Sequence, residues 1–247
     1  MSPSRAYHDS IWLAVDANAT PEHARLRERF LLAQIAAERA RLQRPARVLD
    51  LGCGDGHFAR ALVGGGASVV AADVAAEALR RAAARAGERT GPASGRAVQP
   101  ALGPSVAPAG ERRAEPPREL ELRLVDADAP LPFDDACFDA VWAGETIEHV
   151  ADTTGWLSQV RRVLRPRGLL LLSTPDHGAL TRLRLASSAR AFARHFDPRS
   201  DHLRFYTRRG LTDLLADFGF EEVEVRPVGG VPGARRVLLG SARRTRF

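Results

Sequence analysis

The 247-residue sequence contains no lysine and only two cysteines, so each of its 36 basic residues is an arginine. Cys53 and Cys137 stand far apart, with no metal-type spacing, which excludes a disulfide framework and a cysteine-built zinc centre. A reducing, cytoplasmic setting follows as the expectation. Long apolar runs are missing too. A run such as Leu169 to Leu172 is far short of the roughly 20 residues a bilayer span needs. The N-terminus lacks the basic-then-apolar pattern of a secretory signal, so neither export nor a membrane partner is expected.

What is present is ordinary globular composition, 45% hydrophobic and 27% charged, in a chain long enough for one full-sized core. The net charge of +6 raises the question of a polyanionic partner. The arginines, however, are spread along the chain with Asp and Glu interleaved, which reads as a solvated basic surface. Arginine-only usage with abundant Ala, Gly and Pro reads as a GC-rich coding bias. A small-molecule substrate is therefore expected, with nucleic acid as the lesser alternative; the oligomeric state is not legible.

Strand-like and helix-like segments alternate. Thr20-Pro21 has the form of an N-cap and first turn for a helix towards Leu42, with Leu31, Ile35 and Leu42 as its apolar stripe. Short apolar strands are predicted at 47–51, 68–72, 120–125, 138–143 and 169–173, with helices over 57–63, 75–86 and 153–164 between them. A turn is predicted at Pro166-Arg167-Gly168. The uninterrupted leucines of the fifth strand suit a central parallel strand covered on both faces. Thr207 is placed as the cap of a further helix ending near Gly219, and 221–226 with 235–240 as a final antiparallel pair. The pattern predicts an α/β fold with a doubly wound, mostly parallel seven-stranded sheet and an antiparallel C-terminal strand pair. Residues 1–44 are read as an N-terminal helical lid and 45–247 as the main domain. Within it, 87–118 is a Pro/Gly/Ala/Arg-rich disordered insertion where a short link would serve.

The chemistry begins at Val48-Leu49-Asp50-Leu51-Gly52-Cys53-Gly54-Asp55-Gly56. Gly52, Gly54 and Gly56 allow positive φ and close approach of a ligand to the backbone, before a helix that presents free N–H groups. The dinucleotide pattern Gly-x-Gly-x-x-Gly fails, because its last position is His57. A phosphate P-loop fails for want of a lysine. Asp50 at the strand end would repel a pyrophosphate and suits a ligand carrying an ammonium and a sulfonium.

The segment resembles motif I of class I S-adenosylmethionine-dependent methyltransferases, of the group that includes the ubiquinone-pathway O-methyltransferases, and the likeness covers most of residues 46–175. The resemblance implies the Rossmann-like methyltransferase fold, S-adenosylmethionine as cofactor and methyl transfer to a small acceptor, at oxygen in the first instance. It implies that Asp50, Leu51, Gly52, Gly54 and Gly56 hold the methionine end. Asp73 and Val74 would serve the ribose, Asp126 and Ala127 the adenine. Leu131 to Asp139, Arg162 to Gly168 and Glu145-Thr146-Ile147-Glu148-His149-Val150 match further family segments in order. Glu145, Glu148 and His149 would line the transfer site. A metal-assisted RNA 2′-O-methyltransferase and a non-catalytic cofactor-binding homologue are the alternatives.

His149 keeps three readings at this stage. It is a general base for a substrate hydroxyl, or a metal ligand with Glu145, Glu148 and the distant His202, or a residue that orders its loop by hydrogen bonding. No metal is assigned. Cys53 and Cys137 read as packing residues, as do Trp142 and Trp156.

Overall fold

Five apolar runs supply the parallel part of one sheet, and residues 3–16, 19–87, 119–127, 129–231 and 235–246 are described by the computed structural model. Its elements in chain order begin with α1 (Pro3–Ala14), α2 (Ala24–Leu42), β1 (Arg47–Leu51) and α3 (His57–Gly64). Next come β2 (Ser68–Asp73), α4 (Ala76–Gly87), β3 (Leu120–Leu124) and β4 (Phe138–Gly144). After a single 3₁₀ turn at Ile147–His149 follow α5 (Thr153–Val163), β5 (Leu164–Pro175), α6 (Ala179–Ser187) and α7 (Ala189–His195). The last are α8 (Arg208–Asp217), β6 (Phe220–Val228) and β7 (Val237–Arg244).

The strand order is β3-β2-β1-β4-β5-β7-β6, parallel through β5 and antiparallel at β7. The expected seven-stranded α/β sheet with its antiparallel end is thus present. Successive residues of each central strand point to opposite faces, and both faces are covered. Val48, Leu169 and Leu171 join Leu31 and Ile35 of α2 and Phe58 and Leu62 of α3 in one cluster. Leu49, Leu170 and Leu172 join Leu157 and Val160 of α5 and Leu211 and Leu215 of α8 in the other. At roughly 1.5–3 kcal/mol per fully buried leucine-sized side chain, these two layers dominate the fold's stability.

Several boundaries differ from expectation. Within residues 1–19, where the sequence gives little periodic signal, Pro3–Ala14 forms α1. The helix placed after Thr20 starts later, at Ala24, because His23 takes a left-handed conformation (φ 54°) at its head. Pro166 to Gly168 is not a free turn. Leu164 already pairs with Phe138, the register shifts before Ala140 meets Leu169, and Arg167 has φ 67°, so the segment is a bulge within β5. Thr207 caps α8 as expected, its hydroxyl accepting from the Gly210 amide. The insertion expected over 87–118 lies, beyond Gly87, outside the described residues. Among the described residues, no helix is long and apolar enough to cross a membrane.

Candidate active site

Because β1, β2, β4 and β5 are parallel, their C-terminal ends share one rim, which in open α/β sheets is where ligands bind. Asp50 closes β1, Asp73 closes β2, Glu145 follows β4, and the 3₁₀ turn carries Glu148 and His149. Asp139, by contrast, lies at the opposite rim. It is clamped by Arg44 (2.7 Å to each oxygen), by the Arg47 amide and by Arg165, and serves stability.

The glycine loop is built by close approach. Gly52, Gly54 and Gly56 have φ of 78°, 55° and 75°. A Cβ on Gly52 would stand 2.5 Å from the Thr146 hydroxyl, and one on Gly54 would stand 2.7 Å from the Trp12 ring. Only glycine fits either position. Thr146 donates to the Leu51 carbonyl (3.1 Å), which ties β1's end to the segment after β4. Asp73 braces the same loop, accepting from the Gly54 amide (2.8 Å) and the Ala75 amide (2.9 Å). Burial raises its pKa against those two bonds. Each oxygen keeps a second lone pair for a ligand hydroxyl. Val74 packs against the core beside it. Asp126, half-buried, and Ala127, exposed, follow β3 on the same rim.

Asp50 is 1% exposed, and its Oδ2 has no hydrogen-bond partner. Burial first, then the charge of Asp73, pushes its pKa up to about 8; Arg27 and the Ala59 amide act against the shift. Arg27, on α2, is 3% exposed. Its guanidinium lies 4.6 Å from the Phe58 ring centroid and donates to the Glu22 carbonyl, while its Nε is unpartnered. Burial lowers its pKa, and Glu145, Glu148 and Asp50 counter that in descending order. Arg27 went unnoticed in the sequence, although it stands four residues before Leu31 and eight before Ile35, on the buried stripe.

Glu145 is separated from Glu148 by its bonds. It sits at φ 55°, its amide donates to the Ser173 carbonyl, and its Oε1 accepts from the Ser173 hydroxyl at 2.9 Å. Glu148 is 1% exposed, with neither carboxylate oxygen partnered. Burial and the charge of Glu145 raise its pKa to about 8. Its carbonyl accepts from the amides of Leu203 and Arg204, which brings His202 onto the site. The rings of His149 and His202 lie 4.9 Å apart, edge to face. Glu148, His149 and His202 place one ligand atom each within 4.8 Å of one another. Three of the four residues of the metal reading therefore meet, and Glu145 is held elsewhere.

His149 Nδ1 lies 3.0 Å from the Asp201 carbonyl oxygen and 3.4 Å from Asp201 Oδ2. Both are acceptors, so Nδ1 carries the proton and Nε2 keeps its lone pair. Burial lowers the His149 pKa, with Asp201 opposing. The ring is thus neutral and basic at neutral pH. Burial likewise raises the Cys53 and Cys137 thiols, which makes both poor nucleophiles. Trp142 is wholly buried in the core layer under α2 and α3, as expected, and Trp156, half-buried, packs against the opposite layer.

Above the loop lies α1. Asp9 accepts from the Glu77 amide (3.0 Å), and Arg81 donates to the Val15 carbonyl (2.9 Å). Trp12 meets Gly54.

A family model described as a methyltransferase domain matches residues 23–225. The ubiquinone biosynthesis O-methyltransferase of Dinoroseobacter shibae is 30% identical over 203 residues, 79% of this chain and 70% of that protein. The demethylmenaquinone methyltransferase of Thermus thermophilus is 34% identical over 152 residues, 60% of this chain and 54% of that protein. Among solved structures, the magnesium protoporphyrin IX methyltransferase of Synechocystis, with bound SAH, superposes over 98% of each chain. Its TM-score is 0.63 at 16% identity, a likeness of fold.

Proposed function

This chain belongs to the class I S-adenosylmethionine-dependent methyltransferases, and from that premise we propose that it methylates a hydroxyl oxygen of a small acceptor, with His149 as general base. The observation that carries the reading is the tautomer imposed on His149. Its Nδ1–H is committed to Asp201, which leaves Nε2 at the rim as a neutral acceptor for the hydroxyl proton. The O-methyltransferase names of several relatives agree with oxygen as the target.

The sulfonium is already an activated donor, so the protein's work is in-line positioning and exclusion of water. In this reading Asp50 and the loop Leu51 to Gly56 hold the methionine end, with Arg27 beside them as the buried cation. Asp73 and Val74 take the ribose, and Asp126 and Ala127 the adenine. Glu145 fixes the wall of the site, and Glu148 stands by His149. The lid function expected of residues 1–44 falls to α1, whose Trp12 covers Gly54; α2 is core. The test is isotope-labelled cofactor in a cell extract, followed by identification of the labelled product. Label on carbon or nitrogen, or no transfer at all, overturns the oxygen assignment.

One observation favours a second reading. The orphaned Glu148 oxygens beside His149 and His202 form a donor set suited to a divalent cation, with the Nδ1 of His149 anchored as in many metal-bound histidines. Such an ion would ionise Glu148 and orient an acceptor oxygen. If the protein binds no Mg²⁺, Mn²⁺ or Zn²⁺ and EDTA leaves turnover unchanged, this reading fails and the general base stands alone.

A further inference from the structure

Beyond the end of β5 the chain stays tied to the segment before α8. Asp176 bridges to Tyr206, and the backbone amide of His177 donates to the Tyr206 carbonyl at 2.9 Å. The same carbonyl faces the buried His177 ring, 3.3 Å from Nδ1. A carbonyl oxygen only accepts, so Nδ1 carries the proton and Nε2 of His177 keeps its lone pair. Opposite it, at 2.9 Å, stands Nε2 of His195, the last residue of α7. Two ring nitrogens at hydrogen-bond distance need one proton between them, so His195 is the donor. The methyl-transfer reading uses neither ring.

The pair sits among aromatic rings. Phe205 stands edge to face with His177 at 5.1 Å between centroids and with Phe196 at 4.7 Å, and Phe196 lies 4.9 Å from His195. α7 is thereby joined to residues 201–206. That segment orders the acceptor side of the site: the Leu203 and Arg204 amides donate to the Glu148 carbonyl, and Asp201 accepts from Nδ1 of His149.

With Nδ1 of His177 already protonated, a further proton has only Nε2 to go to, where it would set two N–H groups against each other. The closed arrangement excludes it. Burial first, then the charges of His195 and His202, lowers the His177 pKa, while the carbonyls of Tyr206 and Pro175 act the other way. Burial first, then Arg184 and His202, lowers that of His195. Of the acids next to the pair in the chain, Asp197 is held by Arg199 at 2.7 Å and Asp176 has Arg182 as its countercharge. A histidine whose pKa is lower in the closed form binds fewer protons there, so closure is complete above the ordinary histidine value and is lost as pH falls below it. We propose that His177 and His195 form an acid-sensitive latch that holds α7 and residues 201–206 on the end of β5, and that a proton on His177 frees the segment that positions His149. The latch and its release stand on the ring geometry; their effect on methyl transfer rests on the reading of His149 as the base.

Amide exchange of the full chain, followed residue by residue between pH 7.5 and pH 5.0 and corrected for the intrinsic rate, tests it without an acceptor. One proton taken up only by the released form, from an ordinary value of about 6.5, should lower protection about 30-fold over that range. The loss should fall together on the amides of His177, Phe196, Leu203 and Arg204, while the interior of β5 keeps its protection. His177→Gln offers His195 an acceptor oxygen and has no ring to titrate, so those amides should stay protected at pH 5.0. His195→Phe keeps a ring beside Phe205 but has no donor, so the same amides should be weakly protected already at pH 7.5. Equal parent protection at the two pH values, an undiminished acid loss in His177→Gln, or parent-like protection in His195→Phe at pH 7.5 would overturn the proposal. So would loss of protection on adding EDTA at pH 7.5, which would make a shared metal ion, and not a hydrogen bond, the tie between the rings.

Discussion

Replacing Asp50 by Asn should stabilise the ligand-free protein while disabling it. Asp50 is wholly buried, and its pKa rises from 3.8 to about 8. In the unfolded chain the group ionises above about pH 4, whereas in the fold it holds its proton to about pH 8. The stability tied to it is therefore complete below the unfolded value and declines as pH rises through the folded value. At pH 7 the gap is about three units, and at roughly 1.4 kcal/mol per unit the burial costs about 4 kcal/mol. That figure is a ceiling, because relaxation and entry of water soften the penalty in real interiors. Asn keeps an oxygen for the Ala59 amide and removes the charge. Urea titrations from pH 4 to pH 9 should show the two proteins equal near pH 4. The difference should grow in favour of Asp50→Asn, up to about 4 kcal/mol by pH 7, and level off above pH 8. The same variant should lose more than tenfold in cofactor affinity, since the ammonium and sulfonium lose their carboxylate. A variant that is less stable at pH 8, or whose advantage does not grow with pH, would show that the carboxylate is there to cap α3 and would refute the reasoning.

Asp73→Ala should weaken cofactor binding by more than tenfold and speed amide exchange at Gly54 and Ala75, which lose their acceptor; unchanged exchange would sink the bracing role. His149→Gln should lower kcat about 10²–10⁴-fold with cofactor affinity unchanged. In the parent, because the His149 pKa is depressed, kcat should rise with pH and reach its plateau before the ordinary histidine range is passed; a fall in activity over that range contradicts the base. Gly54→Ala should destabilise the protein through both its positive φ and the clash with Trp12. Adding Trp12→Ala should recover part of that loss, so strictly additive effects would mean that the two do not touch.

Much of this was legible because the parallel strands are covered on both faces and so read as unbroken apolar runs, Leu169 to Leu172 most plainly. The glycine loop was legible because its residue types answer a backbone requirement. Three features were hidden. In α1, Asp9 and Trp12 work by capping α4 and covering Gly54, contacts that leave no periodicity in a sequence. Arg27 looks like its neighbours Arg25 and Arg29, which a helix normally solvates, and only its phase with Leu31 and Ile35 marks it for burial. The separation of Glu145 from Glu148 depends on Ser173, contributed by a strand 28 residues away, a partner that local spacing cannot reveal.

The strand order carries a consequence for how this protein comes into being. β7, the last strand described, is an interior one, bonded to β5 on one side and to β6 on the other, with Leu169 opposite Arg243. A nascent chain that has emerged only as far as β6 has β5 with one rim unpaired and an apolar surface that awaits Leu238 and Ala242. Closure of the sheet is therefore deferred until residues 237–244 have emerged. Long-range pairing of this kind folds slowly, and the waiting intermediate offers an open strand edge to other chains. A lesion that stops translation shortly before residue 237 should accordingly yield an aggregating product and not a trimmed enzyme.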